Sequence, residues 1–240
     1  MKRPTHPRAV LMVDVGGGSV KLMVSGRRSV RSFETNPQAT ASQVVEQARE
    51  TAQDWSFEVV SVGYPGLVHD GRPVSDPPRL GEGWVDFDYE GAFECPTRII
   101  NDASLQALAA YRGVRMLFVG LGTGVGSTLI TDDVLVPIEL GALRFNSSVT
   151  LHEQLGGKGL KRLGHRRWRG DVVTSIRTLA AAFCAREVVL GGGNAARLNP
   201  LPKTWRTRTN AHALLGAERL WGDRYGVRAE PKGALWIIHS

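Results

Sequence analysis

The sequence contains little cysteine, and this excludes two common kinds of small-domain scaffold. Only Cys95 and Cys184 occur among the 240 residues, and neither belongs to a CxxC pair or a Cys/His cluster. A disulfide framework or a structural zinc site needs several suitably placed cysteines or histidines. We therefore expect no structural zinc and a reducing location, which for most proteins is the cytoplasm.

The sequence also lacks a long hydrophobic run. No apolar stretch approaches the roughly 20 residues that a membrane-spanning helix needs. The apolar run near the N-terminus is short, ends at Asp14 and is followed by no small-residue cleavage site. We therefore expect no signal peptide and no membrane partner. A chain of 240 residues is nevertheless long enough to bury a substantial core.

Acidic residues are outnumbered by basic ones, so that the formal net charge is +7. Much of the excess lies in residues 158–169, which read KGLKRLGHRRWR and are here called the basic stretch. Such a run usually forms a solvated helix face, although it can also attract a polyanion. The other charges are mixed in sign. Because charge is the only feature that would favour a nucleic-acid partner, we expect none.

Short apolar strands alternate with helical patterns along the chain, which indicates an α/β fold. In each half, a buried strand is followed by a glycine turn, a second and a third strand, and then helices. This rough duplication predicts two lobes, residues 1–113 and residues 114–240, with a cleft between them. A homodimer is one assembly that the sequence leaves open.

The first glycine turn, residues 14–21, reads DVGGGSVK. Glycine allows backbone amides to approach an anion closely, because no Cβ intrudes. Asp14, at the end of a predicted strand, could hold Mg²⁺ directly or through water. The alternative is a tight hairpin with an exposed aspartate, and the local sequence favours neither. The candidate phosphate-binding residues here are Gly16, Gly17, Gly18, Ser19 and Lys21.

Two further glycine loops occur in the second half. Residues 120–127, GLGTGVGS, do not match the dinucleotide fingerprint, since Val125 occupies its sixth position, and no GK[ST] follows as in a Walker A loop. A glycine-rich loop after the strand at 187–190 could accept a flat group such as adenine. Both loops could also be plain turns. The candidate donor-binding residues are Gly122, Thr123, Gly124, Gly191, Gly192, Gly193 and Asn194.

Together the three loops resemble the two phosphate motifs and the adenosine motif of the superfold shared by actin, Hsp70 and hexokinase. Three more segments resemble motifs of ROK sugar kinases: YPGLV at 64–68, INDA at 100–103 and ELG at 139–141. The run VLVPIELG at 134–141 is most similar to polyphosphate glucokinases. The resemblance covers nearly the whole chain and implies a two-lobed actin-like ATPase (ribonuclease H-like) fold with a duplicated mixed-sheet core and a central cleft.

The resemblance further implies a kinase that uses Mg²⁺ and transfers a phosphoryl group from ATP or polyphosphate to a glucose-like hexose. It assigns Asp102 as the catalytic base and Pro65, Gly66, Asn101 and Glu139 as sugar-binding residues. Asp102 could instead be an ordinary helix N-cap, for which aspartate is among the favoured residues. A carboxylate at a helix N-terminus tends to stay ionised, which suits a proton acceptor.

Some positions depart from the ROK pattern. Ala142 stands where these kinases usually carry histidine, residues 77–84 lack an expected sugar-binding asparagine, and the cysteine-rich zinc motif is missing. An alternative function is therefore that of a catalytically weak or inactive ROK-like sugar-binding protein. ROK repressors begin with a helix-turn-helix, whereas the first strand here is predicted about ten residues after Met1. We therefore expect no DNA-binding domain.

Overall fold

The computed structural model describes residues 8–208 and 212–239. The chain divides into two compact units. The first unit contains the chain up to Ala109 and again from Ala213 onward, and the second unit is Ala110–His212. The change from the first to the second unit after Ala109 lies close to the boundary predicted at residue 113. The segment from Ala213 onward, which the sequence placed in the second lobe (114–240), belongs to the first unit.

Strands and helices alternate in both units. The strands are β1 (Val10–Val15), β2 (Ser19–Val24), β3 (Arg31–Glu34), β4 (Val59–Tyr64), β5 (Val68–His69), β6 (Arg72–Pro73), β7 (Thr97–Asn101), β8 (Met116–Leu121), β9 (Val125–Thr131), β10 (Val134–Ile138), β11 (Glu187–Gly191), β12 (Trp205–Thr207), β13 (Arg228–Lys232) and β14 (Leu235–His239). The helices are α1 (Ala41–Thr51), α2 (Tyr89–Phe93), α3 (Asp102–Ala110), α4 (Leu151–Leu155), α5 (Gly157–Ala182) and α6 (Ala213–Arg219).

The first unit is built on a mixed sheet with the strand order β3-β2-β1-β4-β7. β1, β2 and β3 are antiparallel, whereas β1, β4 and β7 run parallel. Every residue of β4 is buried, as is typical of a parallel strand covered on both faces. Helix α1 begins with a capping box, in which Thr40 and Gln43 bond each other's backbone amides; a threonine followed three residues later by glutamine favours this arrangement. The ends of the parallel strands therefore lie in a rigid, well-packed sheet.

The second unit repeats this arrangement. Its strands follow the order β12-β11-β8-β9-β10, with β8, β9 and β10 antiparallel and β8, β11 and β12 parallel. In both units a glycine loop joins the first two antiparallel strands, β1 to β2 and β8 to β9. The duplicated mixed-sheet core expected from the sequence is thus present.

The C-terminal segment joins the first unit through contacts that are distant in sequence. The hydroxyl of Ser61 in β4 donates to the carbonyl of Ala217 at 2.9 Å, and Trp221 Nε1 donates to the same hydroxyl at 2.9 Å. The guanidinium of Arg219 donates to the carbonyl of Leu108 at 2.6 Å. Because such contacts follow no local pattern, the sequence did not reveal that this segment returns to the first unit.

Helix α5 contains the whole basic stretch, and it is not continuous. Gly164 has non-helical dihedral angles, φ 71° and ψ 161°, so the stretch lies on two helical segments. Trp168 is fully buried and donates its ring N–H to the carbonyl of Leu155 at 2.8 Å. Within residues 8–208 and 212–239, no helix is both long and apolar enough to cross a membrane.

Candidate functional site

Two candidate acidic residues lie on either side of Gly63 in the first unit. Gly63 in β4 pairs in register with Asp14 of β1 and with Ile100 of β7. A Cβ added to Gly63 would lie 3.2 Å from Asp14 Oδ1 and 3.6 Å from the Cα of Asp102. Gly63 therefore keeps open the space that Asp14 and Asp102 flank. Sequence reasoning missed this residue, although a glycine inside a buried strand often marks a close approach.

Asn101 takes the capping role that the sequence left open for Asp102. The side-chain Oδ1 of Asn101 accepts a hydrogen bond from the amide of Ser104 at 3.1 Å, the bond typical of an N-cap. Asp102 is the first residue of α3, and its Oδ1 accepts from the amide of Ala103 at 2.7 Å. The helix terminus is thus capped by the preceding residue, so capping does not account for an aspartate at position 102.

The other end of the Asn101 amide connects α3 to the PG segment. Its Nδ2 donates to the carbonyl of Gly66 at 3.2 Å. Gly66 follows Pro65, and a Cβ on Gly66 would lie 2.8 Å from the ring of Tyr64, which is fully buried. Asn101 therefore holds two predicted sugar-side elements together, so its geometry supports a positioning role as well as the predicted hydroxyl contact.

Asp14 is a perturbed acid at this position. Burial raises its pKa to about 6, and Lys21, its cross-strand partner, acts in the opposite direction. A nearby cation would favour the charged form of such a carboxylate. Among the residues that the structure describes, no cluster of three or more His, Cys, Asp or Glu could hold a metal. Mg²⁺, however, often uses one or two carboxylates together with water and substrate phosphates, and Asp14 fits that pattern.

The first glycine loop presents two successive amides. The amide of Gly16 donates to the carbonyl of Ser19 at 3.0 Å, and the carbonyl of Gly18 accepts from Thr35 at 3.3 Å. In the described part of the chain, no hydrogen bond engages the amides of Gly17 and Gly18. A Cβ on Gly18 would meet no atom within 4 Å. Successive unpaired amides form a concave anion site, and the space beside Gly18 leaves room for a ligand.

The second glycine loop has the same property. The carbonyl of Gly122 accepts from the amide of Gly157 and from Asn194 Nδ2, each at 3.0 Å. The amide of Gly122 donates to the carbonyl of Gly124 at 3.0 Å. Across the described residues, the amides of Thr123 and Gly124 make no hydrogen bond, and a Cβ on Gly122 would meet nothing within 4 Å. The amides of this loop could therefore also bind an anion, as the sequence predicts.

His152, which the sequence did not single out, covers part of the second loop. A Cβ added to Gly124 would lie 1.8 Å from His152 Cε1, and the amide of Val125 donates to His152 Nδ1 at 3.4 Å. A Cβ on Gly141 of the ELG motif would lie 3.5 Å from the Cβ of His152. Position 124 must therefore be glycine because of this ring, whatever ligand the loop binds. A single histidine in a short capped helix gives no signal that would have revealed this contact.

The third glycine loop packs on the second. Gly192 has φ +80°, and a Cβ there would lie 2.5 Å from the carbonyl oxygen of Leu121. The backbone amide of Asn194 donates to the same carbonyl at 3.0 Å. Gly191 ends β11, and a Cβ on Gly193 would meet nothing within 4 Å. Gly193 thus has the open space expected beside a ligand, whereas Gly192 and Asn194 attach this loop to the second one.

Glu139, the candidate sugar-binding acid of the second unit, directly follows β10. Burial raises the pKa of its carboxyl group. No hydrogen bond or ion pair of its side chain occurs within the described residues. The hydroxyl of Ser127 fixes the adjoining backbone, because it donates to the carbonyl of Ile138 at 2.7 Å and accepts from the amide of Leu140 at 3.1 Å. Glu139 is thus an exposed residue whose carboxyl group is only partly shielded from water, and it lies on a fixed backbone, as a hydroxyl-binding residue should.

The basic stretch is only partly available to a polyanion. Arg162 donates to Gln154 Oε1 at 2.6 Å, and Arg169 donates to the carbonyl of Pro200 at 2.7 Å. The amide of Gly157, at the start of α5, donates to the carbonyls of Gly122 and Thr123, so the helix begins against the second loop. Four cations of the stretch are exposed and make no hydrogen bond or ion pair with the described residues: Lys158, Lys161, Arg166 and Arg167.

The predicted residues thus divide between the two units. Asp14, the first loop (Gly16–Gly18, Ser19, Lys21), the PG segment and Asn101-Asp102 lie in the first unit. Glu139, the second loop and the third loop lie in the second unit. Each unit therefore presents a backbone loop with two successive unpaired amides among the described residues, together with at least one carboxyl group whose pKa is raised by burial, and the predicted central cleft stays a prediction.

No family model and no curated protein matches the sequence. Solved structures do match. An inorganic polyphosphate/ATP-glucomannokinase from Arthrobacter sp. strain KM is 23% identical with a TM-score of 0.73, and the match covers 88% of this chain and 97% of that one. A ROK family glucokinase from Streptomyces griseus, solved with glucose and AMPPNP, is 18% identical with a TM-score of 0.71, over 88% and 98% of the two chains.

A ROK family transcriptional regulator, a homolog of the E. coli MLC protein, is also similar. It is 12% identical with a TM-score of 0.66, and the match covers 89% of this chain and 78% of that one. The similar structures therefore include both kinases and a regulator on one architecture. At these identities the likeness defines the architecture, and the chain has the actin-like ATPase fold found in ROK family sugar kinases.

Proposed function

We propose that this protein is a sugar kinase that transfers a phosphoryl group to a hydroxyl of a glucose-like hexose. The observation that carries the proposal is the position of Asp102. It begins α3, its helix is capped by Asn101, and it lies across Gly63 from the partly buried Asp14. We assign this carboxylate as the proton acceptor, and its neighbour Asp14 as a ligand for Mg²⁺.

In the proposed reaction, a sugar hydroxyl oxygen forms a bond to the transferred phosphorus while the bond from phosphorus to the donor oxygen breaks. Asp102 accepts the hydroxyl proton, and the amides of Gly17, Gly18, Thr123 and Gly124 bind phosphate oxygens. Mg²⁺, held through Asp14, would neutralise charge on the donor phosphates. Catalysis of this kind rests mainly on positioning and charge stabilisation, which rigid loops on sheet edges supply.

Sugar recognition is proposed to come from Glu139, Asn101 and the PG segment at Pro65 and Gly66. A partly desolvated carboxyl group can pair with two sugar hydroxyls, and a site of this kind rejects analogues that lack them. Ala142 cannot supply the polar contact of the histidine expected there. We therefore expect weak glucose affinity or a preference for another polyol, and calorimetry with several hexoses would measure this.

ATP and polyphosphate are both proposed as donors. The third loop, with its open space at Gly193, supports a nucleotide, and one similar kinase was solved with AMPPNP. The exposed cations Lys158 and Lys161 follow Gly157, which contacts the second loop, and another similar kinase is named for polyphosphate and ATP. A cytoplasmic location and a homodimer stay predictions from the sequence and the resemblance.

The second candidate function is a sugar-binding protein with little or no catalysis. It is favoured by Ala142, by the missing asparagine in residues 77–84 and by the similarity to a ROK family regulator. The two candidates differ in whether phosphoryl transfer occurs at a measurable rate once sugar is bound.

A coupled assay of several hexoses against ATP and polyphosphate, each with Mg²⁺, separates the two candidates. Under the kinase proposal at least one pair turns over, and the same sugar protects the protein against thermal unfolding. Protection by sugar without turnover in any pair would support the binding protein. Neither protection nor turnover would contradict both candidates.

A further inference from the structure

The segment 76–84, here called the arch, is held firmly against the first unit. Asp76 Oδ1 accepts from the amide of Trp84 at 2.9 Å, which joins the two ends of the arch. The carbonyl of Ala39 accepts from the amide of Gly81 at 3.0 Å and from the buried Trp84 ring N–H at 3.2 Å. Leu80 is also buried. The arch is therefore anchored on both sides of its exposed tip.

Arg79 occupies that tip and lies over the first glycine loop. A Cβ added to Gly17 would lie 2.9 Å from Arg79 Cδ and 3.1 Å from Arg79 Cβ. The aliphatic part of the arginine thus crosses the face of Gly17, whereas the neighbouring Gly18 is open. Lys21, on β2 of the same turn, adds a second positive charge. The anchored arch therefore places Arg79 next to Gly17, which carries the first of the two successive unpaired amides of this loop.

We propose that Arg79 completes an anion site on this loop, in which its guanidinium and the amides of Gly17 and Gly18 bind oxygens of one phosphate-type group. Guanidinium binds such oxygens bidentately, and successive amides form a concave donor site. The inference deepens the proposed kinase function and rests on it. The anion has two possible sources: the phosphate chain of the donor, or an acidic group carried by the acceptor sugar in place of a neutral hydroxyl.

The binding experiment uses the full chain with Arg79→Gln, Arg79→Lys and the control Arg28→Gln. Arg28 is an exposed arginine of the same unit, in the connection before β3, so its replacement removes the same charge away from the loop. The probe is inorganic tripolyphosphate, titrated by calorimetry. If the donor supplies the anion, we expect Arg79→Gln to weaken tripolyphosphate binding at least about tenfold, since charge-assisted bidentate bonds are lost. Arg79→Lys should lose less, because the charge remains, and Arg28→Gln should change binding less than about twofold at physiological salt.

A second set of titrations with glucose, glucuronate and glucose 6-phosphate identifies the source of the anion. If the donor supplies it, Arg79→Gln weakens tripolyphosphate binding and leaves the affinity for all three sugars unchanged. If the acceptor supplies it, binding of glucuronate or glucose 6-phosphate weakens, while tripolyphosphate and glucose are unaffected. The proposal is overturned if Arg79→Gln binds every ligand as tightly as Arg28→Gln does, or if the parent protein binds no anion. Equal melting temperatures of the variants would show that the fold is intact.

The outcomes also separate this inference from the kinase proposal. Binding of tripolyphosphate through Arg79 without transfer to any sugar would remove the kinase function and leave the anion site. An active kinase whose anion binding is insensitive to Arg79→Gln would support the kinase function and overturn the anion site at Arg79. If Arg79→Gln melts at a lower temperature, Arg79→Lys, which keeps the aliphatic contact with Gly17, becomes the deciding variant, and unchanged anion binding in it at low and high salt would overturn the bidentate role.

Discussion

The first and second glycine loops have similar backbones but differ in chemistry. Each joins two antiparallel strands, each contains one open glycine, and each has a second glycine covered by a side chain from elsewhere. Above the first loop the cross-strand pair is Asp14 and Lys21, whereas at the second it is Gly120 and Gly126. The first loop therefore combines charged side chains with backbone donors, whereas the second combines backbone donors with the ring of His152.

This difference indicates a division of roles. Under the kinase proposal, charged groups that change their protonation or hold a cation are needed where bonds form and break, and Asp14, Lys21 and Asp102 all lie in the first unit. The amides of Thr123 and Gly124 would bind phosphate oxygens without titrating themselves, which suits a fixed hold on the donor. Substitutions near the first loop should therefore alter turnover and pH dependence, while those in the second should alter donor affinity.

The largest expected effect comes from Asp102→Asn. If Asp102 is the general base as proposed, its loss should lower kcat at least about 100-fold, while sugar affinity and the melting temperature stay near those of the parent. Steady-state kinetics and sugar titration measure both quantities. Asp132→Asn, in an exposed turn of the second unit, is the matched control and should leave kcat unchanged. Near-normal turnover in the Asp102 variant would contradict the assignment of Asp102, in the first unit, as the general base.

Asp14→Asn should change the pH dependence of stability. The folded pKa of Asp14 is raised from 3.8 to about 6, so between these values the unfolded chain ionises first and stability falls as pH rises. Above about pH 6 the full cost of the buried charge remains. The asparagine variant avoids this cost and should be more stable at pH 7.5 by up to about 3 kcal/mol, with little difference below pH 4.

Denaturant unfolding at pH 4, 5, 6 and 7.5 tests this expectation for Asp14. Mg²⁺ with a phosphate donor should narrow the difference at pH 7.5, because the cation favours the charged carboxylate of the parent. A gap between parent and variant that is constant across the whole pH range would contradict the titration of Asp14.

Two glycines of the second loop should behave differently. Gly124→Ala forces the His152 ring to move, and overpacking of this kind costs about 1–3 kcal/mol. His152→Ala should restore much of that stability, giving a coupling of at least about 0.5 kcal/mol in a double-mutant cycle. Gly124 variants therefore mix a steric effect with any loss of donor binding, and Gly124→Val would do so more strongly.

Gly122→Ala is the cleaner probe of the same loop. Its Cβ meets nothing in the described protein, so stability should hardly change. If a donor phosphate approaches this backbone, the donor KM should rise while the sugar KM stays the same. An unchanged donor KM would indicate that the second loop is a plain hairpin that does not contact the donor.

The smallest effect is expected from the basic stretch. Arg166 and Arg167 are exposed, so salt screens any electrostatic attraction between these side chains and polyphosphate. Changing both to Ala should raise the KM for polyphosphate at low salt and flatten its salt dependence, while the KM for ATP hardly moves. Kinetics with both donors at two salt concentrations decide this. A polyphosphate KM equal to that of the parent, or a parent that cannot use polyphosphate, would reduce this charge to ordinary surface.

Local patterns in the sequence determined the strands from β1 to β11, the glycine turns between them and the capping box at Thr40, but not β12, β13 and β14. They also indicated that Asp102 lies where a strand enters a helix. These features depend on neighbours within a few residues, where backbone preferences and side-chain spacing leave direct signals. The duplication of the core followed from the same signals, since the order of turns and strands repeats along the chain.

Only the tertiary structure decided which residues support these loops. Gly63 separates Asp14 from Asp102, Arg79 covers Gly17, and the C-terminal helix returns to the first unit. Asn101 likewise caps α3 while holding the PG segment, and His152 determines that position 124 is glycine. Most of these contacts join residues far apart in sequence, and they depend on how close two backbones come. Composition and periodicity carry no information about that distance, because the same glycine or arginine would read identically in an ordinary surface turn.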